Sequence, residues 1–412
     1  MAFAFYKLIV RLYGMVIHMA APFNAKAKQW VVGRKDWYNS LNQKMANLGS
    51  AERYWFHCAS YGEFEQGRPL IEAVKLKHPS AKIILSFFSP SGYEAFKNWP
   101  GADVIVYLPL DTPSNAKRFL DLVKPGKTFI IKYEYWLCFL KELKQRKSAS
   151  YLVSATFKPK QVFFKWYGGI FRKSLQTFTT LFIQDKASLQ LLNSIHIQNA
   201  VLSGDTRIDR VLAIKADNFQ DQKLQDFVHN SFVLVAGSTW PEDDKFITDA
   251  VSVFIQSEVK LVVAPHELHQ SSLRTCIETY SKIDASVSTY SKGIKANSRV
   301  VILDTMGMLS KVYRLGTMAY VGGGFGTGIH NVLEPAVYGI PVGIAGYGHE
   351  KYNEAIQLMQ LQIAFHFDSA EQLREKIQFF KTNPQALSKL REEAMQYFEA
   401  NKNVTERILA EL

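Results

Sequence analysis

The chain has 412 residues, 47% of them hydrophobic and 13% aromatic; that is too long for one ordinary core and too apolar for wholesale disorder, so two α/β domains are expected. Three cysteines (Cys58, Cys138, Cys276) lie far apart with no CxxC pair, which speaks against a disulfide framework and a cysteine-rich metal site. The net charge of +12 is localised: residues 1–50 carry seven Lys/Arg and one acid (net +6), residues 124–173 carry twelve Lys/Arg and two acids (net +10), and the rest is about −4. Such zones point to an anionic partner such as phospholipid or a phosphorylated substrate, and no nucleic-acid module surrounds them.

Residues 1–30 are apolar and aromatic, with Lys7 and Arg11 four apart on one helical face opposite Phe5, Ile9 and Leu12. No small-residue cleavage site follows, so the stretch reads as a membrane anchor, either lying in the interface or crossing it with snorkelling charges. Lys26, Lys28, Arg34 and Lys35 come next, and the positive-inside tendency places the body in the cytoplasm. Residues 1–48 are therefore expected to form a membrane-associated helix with a basic linker.

From residue 49 on, short apolar runs alternate with amphipathic stretches. Seven runs (54–59, 83–88, 104–108, 129–136, 151–155, 181–184 and 201–203) precede the polar segment 213–231, and five more (232–236, 261–264, 300–303, 318–321 and 341–344) follow it. Strand-length runs separated by helix-length segments predict βαβ units and parallel sheets. The expected domains are 49–212 and 213–412, the second ending in a wholly helical region from Glu350, with Ser369 as a helix cap. Ligands bind such sheets at the carboxyl ends of the strands.

Common nucleotide motifs fail. The Gly126-Lys-Thr128 triplet lacks the first glycine of a phosphate loop, since Asp121 stands there, and Gly322-Gly-Gly-Phe-Gly-Thr-Gly328 gives GxGxxG in no frame. His266 and His269 lack metal-ligand spacing, so no metal is expected. The glycine run, with Gly323 in it, offers a turn followed by Asn331 as an N-cap, and the helix start behind it suits a phosphate; Glu334 would accept ribose hydroxyls or simply be a first-turn acid. A second such start follows residues 232–236, with Ser238 or Thr239 capping and Pro241 at an early position. In the first half, the run 54–59 leads to Glu63, placed to take a proton from an acceptor hydroxyl or only to favour the helix dipole.

Taken in order, His57-Cys-Ala-Ser-Tyr-Gly-Glu63, Leu108-Pro-Leu-Asp111, Tyr133-Glu-Tyr-Trp136, Gly204-Asp-Thr-Arg-Ile-Asp209, Ala236-Gly-Ser-Thr239, Ala264-Pro-His266, Asp304-Thr-Met-Gly307 and His330-Asn-Val-Leu-Glu-Pro335 resemble the signatures of the Kdo (3-deoxy-D-manno-octulosonic acid) transferases over residues 5–400. The resemblance implies two Rossmann-like domains facing a cleft, a GT-B type glycosyltransferase fold, with CMP-Kdo as donor, no metal or other cofactor, and a lipid A precursor as acceptor in lipopolysaccharide biosynthesis. It implies Glu63 as the general base of an inverting transfer, Arg207 at the position of a transition-state-stabilising lysine, and donor contacts at Pro265 and His266, at Met306, Gly307 and Met308, and at Asn331, Val332, Leu333 and Glu334.

Three departures stand out. His266 and Met308 replace a usual Arg and a usual acid, and of two glutamates spaced by one residue only the second, Glu134, is kept; the first is Lys132. Glu134 is counted with the catalytic residues. Lys158, Lys160, Lys165 and Arg172, interleaved with Phe157, Phe163, Phe164, Trp166 and Tyr167, suit the boundary between the phosphates and the acyl chains of a lipid acceptor. The expected location is the cytoplasmic side of the inner membrane, on its anionic surface. The competing readings are a nucleotide-sugar epimerase of the same architecture, which needs no acceptor, and a non-catalytic membrane-docked sugar-nucleotide-binding protein.

Overall fold

The computed structural model describes residues 2–254, 259–326 and 328–412. The chain divides into two compact units, Met1–Arg210 with Asn403–Leu412, and Val211–Lys402.

The first unit holds seven strands: β1 (Arg53–Cys58), β2 (Lys82–Phe87), β3 (Val104–Tyr107), β4 (Lys127–Ile131), β5 (Ala149–Ala155), β6 (Thr180–Ile183) and β7 (Ala200–Leu202). They pair in parallel in the order β3-β2-β1-β4-β5-β6-β7. Side chains alternate across the sheet. Tyr54, Phe56 and Cys58 enter one core layer with Phe129 and Ile131, while Trp55 enters the other with Ile84, Phe119 and Phe139. Helices cover both faces, which is why these strands read as continuous apolar runs. Each fully buried aromatic contributes roughly 1.5–3 kcal/mol relative to exposure.

The helices that bear on the site are α1 (Ala2–Ala20), α2 (Ala25–Gly33), α3 (Trp37–Ala46), α4 (Tyr61–Lys77), α5 (Pro90–Phe96), α6 (Pro113–Val123) and α7 (Leu137–Gln145). One side of α1 packs on this unit. The Tyr6 hydroxyl donates to Asp111 at 2.5 Å, Val10 is buried, and the Gly14 Cα approaches Leu110 so closely that a Cβ would lie 2.8 Å from its methyl. Elsewhere α1 exposes apolar side chains, Phe5 at 65% and Met19 at 68% among them. It is long and apolar enough to cross a membrane, yet only 11% of its apolar window is buried in the protein.

Two buried polar groups join these helices to the strand ends. Arg34, just after α2, donates to the carbonyls of Trp30, Phe88 and Leu108 and lies against the rings of Trp30, Phe88 and Tyr107. Asp111, 1% exposed, accepts from the Cys138 and Phe139 amides at 3.0 Å each and so caps α7 from outside.

The second unit repeats the plan with β8 (Phe232–Thr239), β9 (Val259–Pro265), β10 (Ser288–Thr289), β11 (Val300–Ile302), β12 (Met318–Val321), β13 (Val342–Ala345) and β14 (Ala364–Phe367), all parallel, in the order β10-β11-β9-β8-β12-β13-β14. The expectation of a wholly helical region after Glu350 is corrected by β14, a four-residue edge strand too short to leave a periodic signal. Ser369 does cap the helix Ala370–Thr382, accepting from the Gln372 amide. The segment 213–231 contains helical residues of Arg207–Ala216 and the helix Gln222–Val228 rather than a bare linker.

The tail returns to the first unit. Asp209 accepts from the amides of Val404 and Thr405, capping the helix Val404–Ala410, and Val404 and Ile408 are buried in the first unit's core. Asp209 and this helix are almost two hundred residues apart, so no local pattern announces the pairing.

Candidate functional site

In both sheets the strand order reverses beside the unit's first strand: between β1 and β4 in the first unit, and between β8 and β12 in the second. A crevice opens at the carboxyl ends of strands at such a reversal. Glu63, Glu134, Gly323 and the segment 331–334 lie in the stretches that leave these strands, and Ser238 and Thr239 end β8.

In the first unit β1 runs into Ser60, the N-cap of α4, and Glu63 stands in that helix's first turn. The Ser60 hydroxyl donates to the Glu63 carboxylate. Glu63 is half-buried, and among the described residues no cation pairs with it within 4 Å. It is thus oriented by a neutral donor and has a second oxygen to offer a ligand.

At the end of β4, Lys132 holds a left-handed backbone (φ 69°), and Ser154 near the end of β5 does the same (φ 56°). Such strain in non-glycine residues gathers at functional sites. Glu134 follows, with a carboxylate oxygen 3.7 Å from Nε2 of the fully buried His57. The Trp136 indole N–H donates to that same Nε2 at 3.2 Å, while Nδ1 lies 2.9 Å from the Ser86 hydroxyl and 3.1 Å from its carbonyl. In this network Nε2 accepts the indole proton and Nδ1 faces the Ser86 oxygens, which fixes the ring orientation beside Glu134.

Arg207 begins the helix Arg207–Ala216 and grips Asp205 with Nε at 3.0 Å and Nη2 at 2.6 Å. Burial alone would raise the Asp205 carboxyl, but the Arg207 charge and hydrogen bonds, with Lys132 adding to them, hold it below the usual carboxylate range. Gln66, one turn after Glu63 on α4, links the two sides: its carbonyl accepts from Thr206 at 2.6 Å, and its amide approaches Asp205 at 3.4 Å. Gln66, Asp205, Thr206 and Arg207 therefore form one braced cluster, with Lys132 acting on Asp205 and Glu63 one turn before Gln66 on α4.

Of the four cations assigned to the acceptor, Arg172 is committed elsewhere, since its guanidinium donates to the carbonyls of Phe163 and Lys165 and closes its own loop. Lys160 is exposed and Lys158 and Lys165 are half-exposed, with Trp166 91% and Tyr167 60% exposed beside them.

In the second unit β8 ends with Ser238 in a left-handed conformation (φ 52°) and Thr239 buried. Neither caps the helix Pro241–Val251, which corrects the expectation. Trp240 occupies the cap position, and its amide donates to Asp243 from within the first turn. The side chains at 238 and 239 belong to the strand, and the acid three residues further on reaches back instead. Asp243 is fully buried and also accepts from the Gly323 amide at 2.9 Å and the Tyr320 hydroxyl at 2.8 Å. It joins the turn after β8 to the glycine run after β12. Gly322 has to be glycine, because a Cβ there would meet the Ser238 carbonyl at 2.6 Å, and Gly323 adopts φ 98°.

Asp244, 3% exposed, has its carboxyl pushed up to about 6 by burial, with Asp243 adding a little and the side chains of Thr239, Tyr280 and Cys276 opposing it. The folded protein thus holds this proton more tightly than the unfolded chain, whose carboxyl has the ordinary value of 3.8. The stabilisation is complete below about pH 4 and is lost as pH rises through about 6, an effect on the order of 3 kcal/mol. Asp244→Asn is expected to flatten the pH dependence of thermal stability across that window, as melts at about pH 4.5 and 7 will show.

Three rings meet beside this junction. Trp240 and His266 stack at 4.8 Å, His266 and His330 stack at 4.4 Å, and the Trp240 indole N–H donates to His330 Nε2 at 3.4 Å. Burial and the neighbouring His266 pull the His330 imidazole down to about 4, so it is neutral near pH 7. His266 itself is exposed, with its amide bonded to the Thr239 carbonyl. Pro265 ends β9 beside it.

Asn331 accepts from the Leu333 amide through its side chain, and its own amide donates to Glu334 at 3.2 Å. The helix expected behind it is a single turn, Leu333–Ala336, containing Pro335 and followed by a left-handed Gly339. One turn carries little dipole, so phosphate binding here rests on individual groups and not on a helix end. Val332 and Leu333 are fully buried and can offer a ligand only main-chain groups. Met306 is 78% exposed, Gly307 adopts φ 81°, and the Thr305 hydroxyl contacts the Met308 sulfur at 2.9 Å. Thr327, within the glycine run, lies outside the described residues. Among the described residues no group of three His, Cys, Asp or Glu side chains is placed to hold a metal ion.

A family model described as "3-Deoxy-D-manno-octulosonic-acid transferase (kdotransferase)" matches residues 34–210. The chain is similar to the Kdo transferases over most of its length. It is 24% identical to 3-deoxy-D-manno-octulosonic acid transferase of Rickettsia felis over 364 residues, covering 86% of this chain and 77% of that protein. It is 26% identical to the enzyme of the same name from Aquifex aeolicus over 311 residues, covering 74% and 79%. Among solved structures, a putative UDP-N-acetylglucosamine 2-epimerase from Listeria monocytogenes aligns with a TM-score of 0.62 at 12% identity, over 88% of this chain and 95% of that one. That likeness shows the two-unit α/β fold. The Rickettsia felis and Aquifex aeolicus relatives are both transferases by name, and the family model that matches residues 34–210 is that of a transferase.

The sequence singled out Glu63, Arg207, His266 and the segment 331–334; it did not single out Asp205, Trp240 or Asp243, which the structure places against them or against the glycine run. Asp243 carried a local signal, an acid at the third position of a helix beginning Trp-Pro. Its bonds to Gly323 and Tyr320 had none.

Proposed function

We propose that this protein transfers Kdo with inversion from CMP-Kdo to a phosphorylated lipid A precursor, on the cytoplasmic side of the inner membrane. The observation that carries the reading is Glu63, a half-buried carboxylate with no cation paired to it among the described residues, at the strand reversal of the first unit. As the acceptor hydroxyl oxygen bonds to the anomeric carbon, its proton passes to Glu63. The bond from that carbon to the CMP phosphate oxygen breaks, and CMP leaves with the electron pair. Cationic or hydrogen-bonding groups must meet the charge growing on that phosphate. Arg207 is assigned this part, with Asp205 fixing its guanidinium until the leaving group competes for it. Glu134 completes the polar wall on the β4 side.

The donor is assigned to the second unit, at Ser238, Thr239, Pro265, His266, the turn at Met306, Gly307 and Met308, Gly323, and Asn331 with Glu334. No metal or other cofactor is required, because the leaving phosphate is met by protein groups.

The exposed apolar side of α1 fits a bilayer surface while its other side is fixed to the protein through Tyr6 and Gly14. Lys158 and Lys160, near the exposed Trp166 and Tyr167, suit an acceptor whose phosphates lie at the headgroup level. The double charge reversal Lys158→Glu and Lys160→Glu is expected to raise KM for the lipid acceptor about ten-fold or more and to leave CMP affinity unchanged, measured in vesicle assays and by nucleotide titration.

The solved epimerases share the fold, and an epimerase needs no acceptor. Incubation with CMP-Kdo alone therefore tests the assignment: the donor sugar should keep its configuration until lipid acceptor is added, and isomerisation without acceptor would favour the epimerase.

A further inference from the structure

The rings of Trp240, His266 and His330 come from three segments, the turns after β8 and β9 and the glycine run after β12. The two stacking distances, 4.8 and 4.4 Å, hold together with the 3.4 Å indole bond only if Trp240 and His330 lie edge to edge and His266 rests across their junction. The interplanar angles of 26° and 25° agree with that arrangement. His266 is thus an exposed imidazole on a two-ring platform.

The platform is fixed from beneath. Asp243 holds the Trp240 amide, and the His330 amide donates to the Gly322 carbonyl at 3.1 Å. His330 Nε2 accepts the indole proton, so that nitrogen carries none. The His266 ring lies over the indole face, where a cationic or polarised imidazole is attracted.

We propose that Trp240 is a positioning residue for donor binding: with His330 it forms the platform that holds the His266 imidazole in place for the anionic group of the donor nucleotide. This rests on the assignment of the donor to the second unit. An exposed side chain loses rotamer freedom when it grips a ligand, and one already laid on a rigid surface loses less. Trp240 acts wholly through His266, and the rate once donor is bound does not depend on it.

The test compares full-length wild-type protein with Trp240→Ala, Trp240→Phe, His266→Ala and the double variant Trp240→Ala/His266→Ala, by CMP titration and donor-saturation kinetics, with thermal melts to confirm folding. Trp240→Ala is expected to weaken CMP binding and raise donor KM about ten-fold, while kcat at saturating donor stays within about three-fold. Trp240→Phe keeps a ring beneath His266 and should recover most of the affinity. It is a milder change should the alanine variant fail to fold. The double variant should match His266→Ala, because the two losses are one interaction. Wild-type affinity in Trp240→Ala, a fall in kcat with KM unchanged, or losses that add in the double variant would each overturn the proposal. Wild-type protein that binds no CMP would remove the donor assignment and this inference together, and is distinguished from the other failures by that first titration.

Discussion

Replacing Glu63 with Gln is expected to lower kcat for Kdo transfer about a thousand-fold, within the range by which a positioned general base accelerates proton transfer. KM for both substrates should change little, because the amide keeps the shape of the side chain and the Ser60 hydroxyl still finds an acceptor. The loss belongs to the transition state: an amide cannot take the acceptor proton. Stability should hold to within about 1 kcal/mol, since Glu63 forms no ion pair among the described residues and is only half-buried. Steady-state kinetics and a thermal melt check both parts. A variant that melts normally and still turns over at more than a tenth of the wild-type rate would remove Glu63 from the role of base.

Asp243 should show the opposite division, with large losses in stability and in donor binding. Its carboxylate accepts from the Trp240 amide, the Gly323 amide and the Tyr320 hydroxyl, all in a fully buried position. Asp243→Asn puts an NH2 group where one oxygen was and leaves at least one of those donors unmatched. Each buried unmatched group costs roughly 1–3 kcal/mol, so a loss of about 3 kcal/mol and a melting point lower by about 10 °C are expected. The turn after β8 and the glycine run would separate, because the backbone contact at Gly322 depends on both being held. CMP affinity should fall more than ten-fold even at temperatures where the variant is folded. Calorimetric melts and nucleotide titration at low temperature separate the two effects.

The parallel α/β plan was legible because strands buried on both faces leave apolar runs, such as those of β1, β4 and β8, that no amphipathic helix imitates. Glu63 was legible because it follows such a run directly. Features set by contacts distant in sequence were not. Asp209 capping the tail helix, Asp111 capping α7 and Asp243 bracing Gly323 are each an acid serving an amide outside its own segment. The helix expected after Asn331 shrinks to one turn because Pro335 and a left-handed Gly339 end it, and the short β14 depends on pairing with β13. Arg172 looked like a ligand-binding cation because charge is visible in sequence and the two carbonyls it serves are not.

The central claim, transfer of Kdo from CMP-Kdo to a lipid-linked acceptor, is tested most directly by mass-resolved analysis of the lipid product. Full-length protein in anionic vesicles is combined with CMP-Kdo and a tetra-acylated, phosphorylated lipid A precursor. The account predicts lipid heavier by whole Kdo residues, with one CMP released for each residue gained. CMP released while the lipid mass stays unchanged, or no consumption of CMP-Kdo by folded protein, would contradict it.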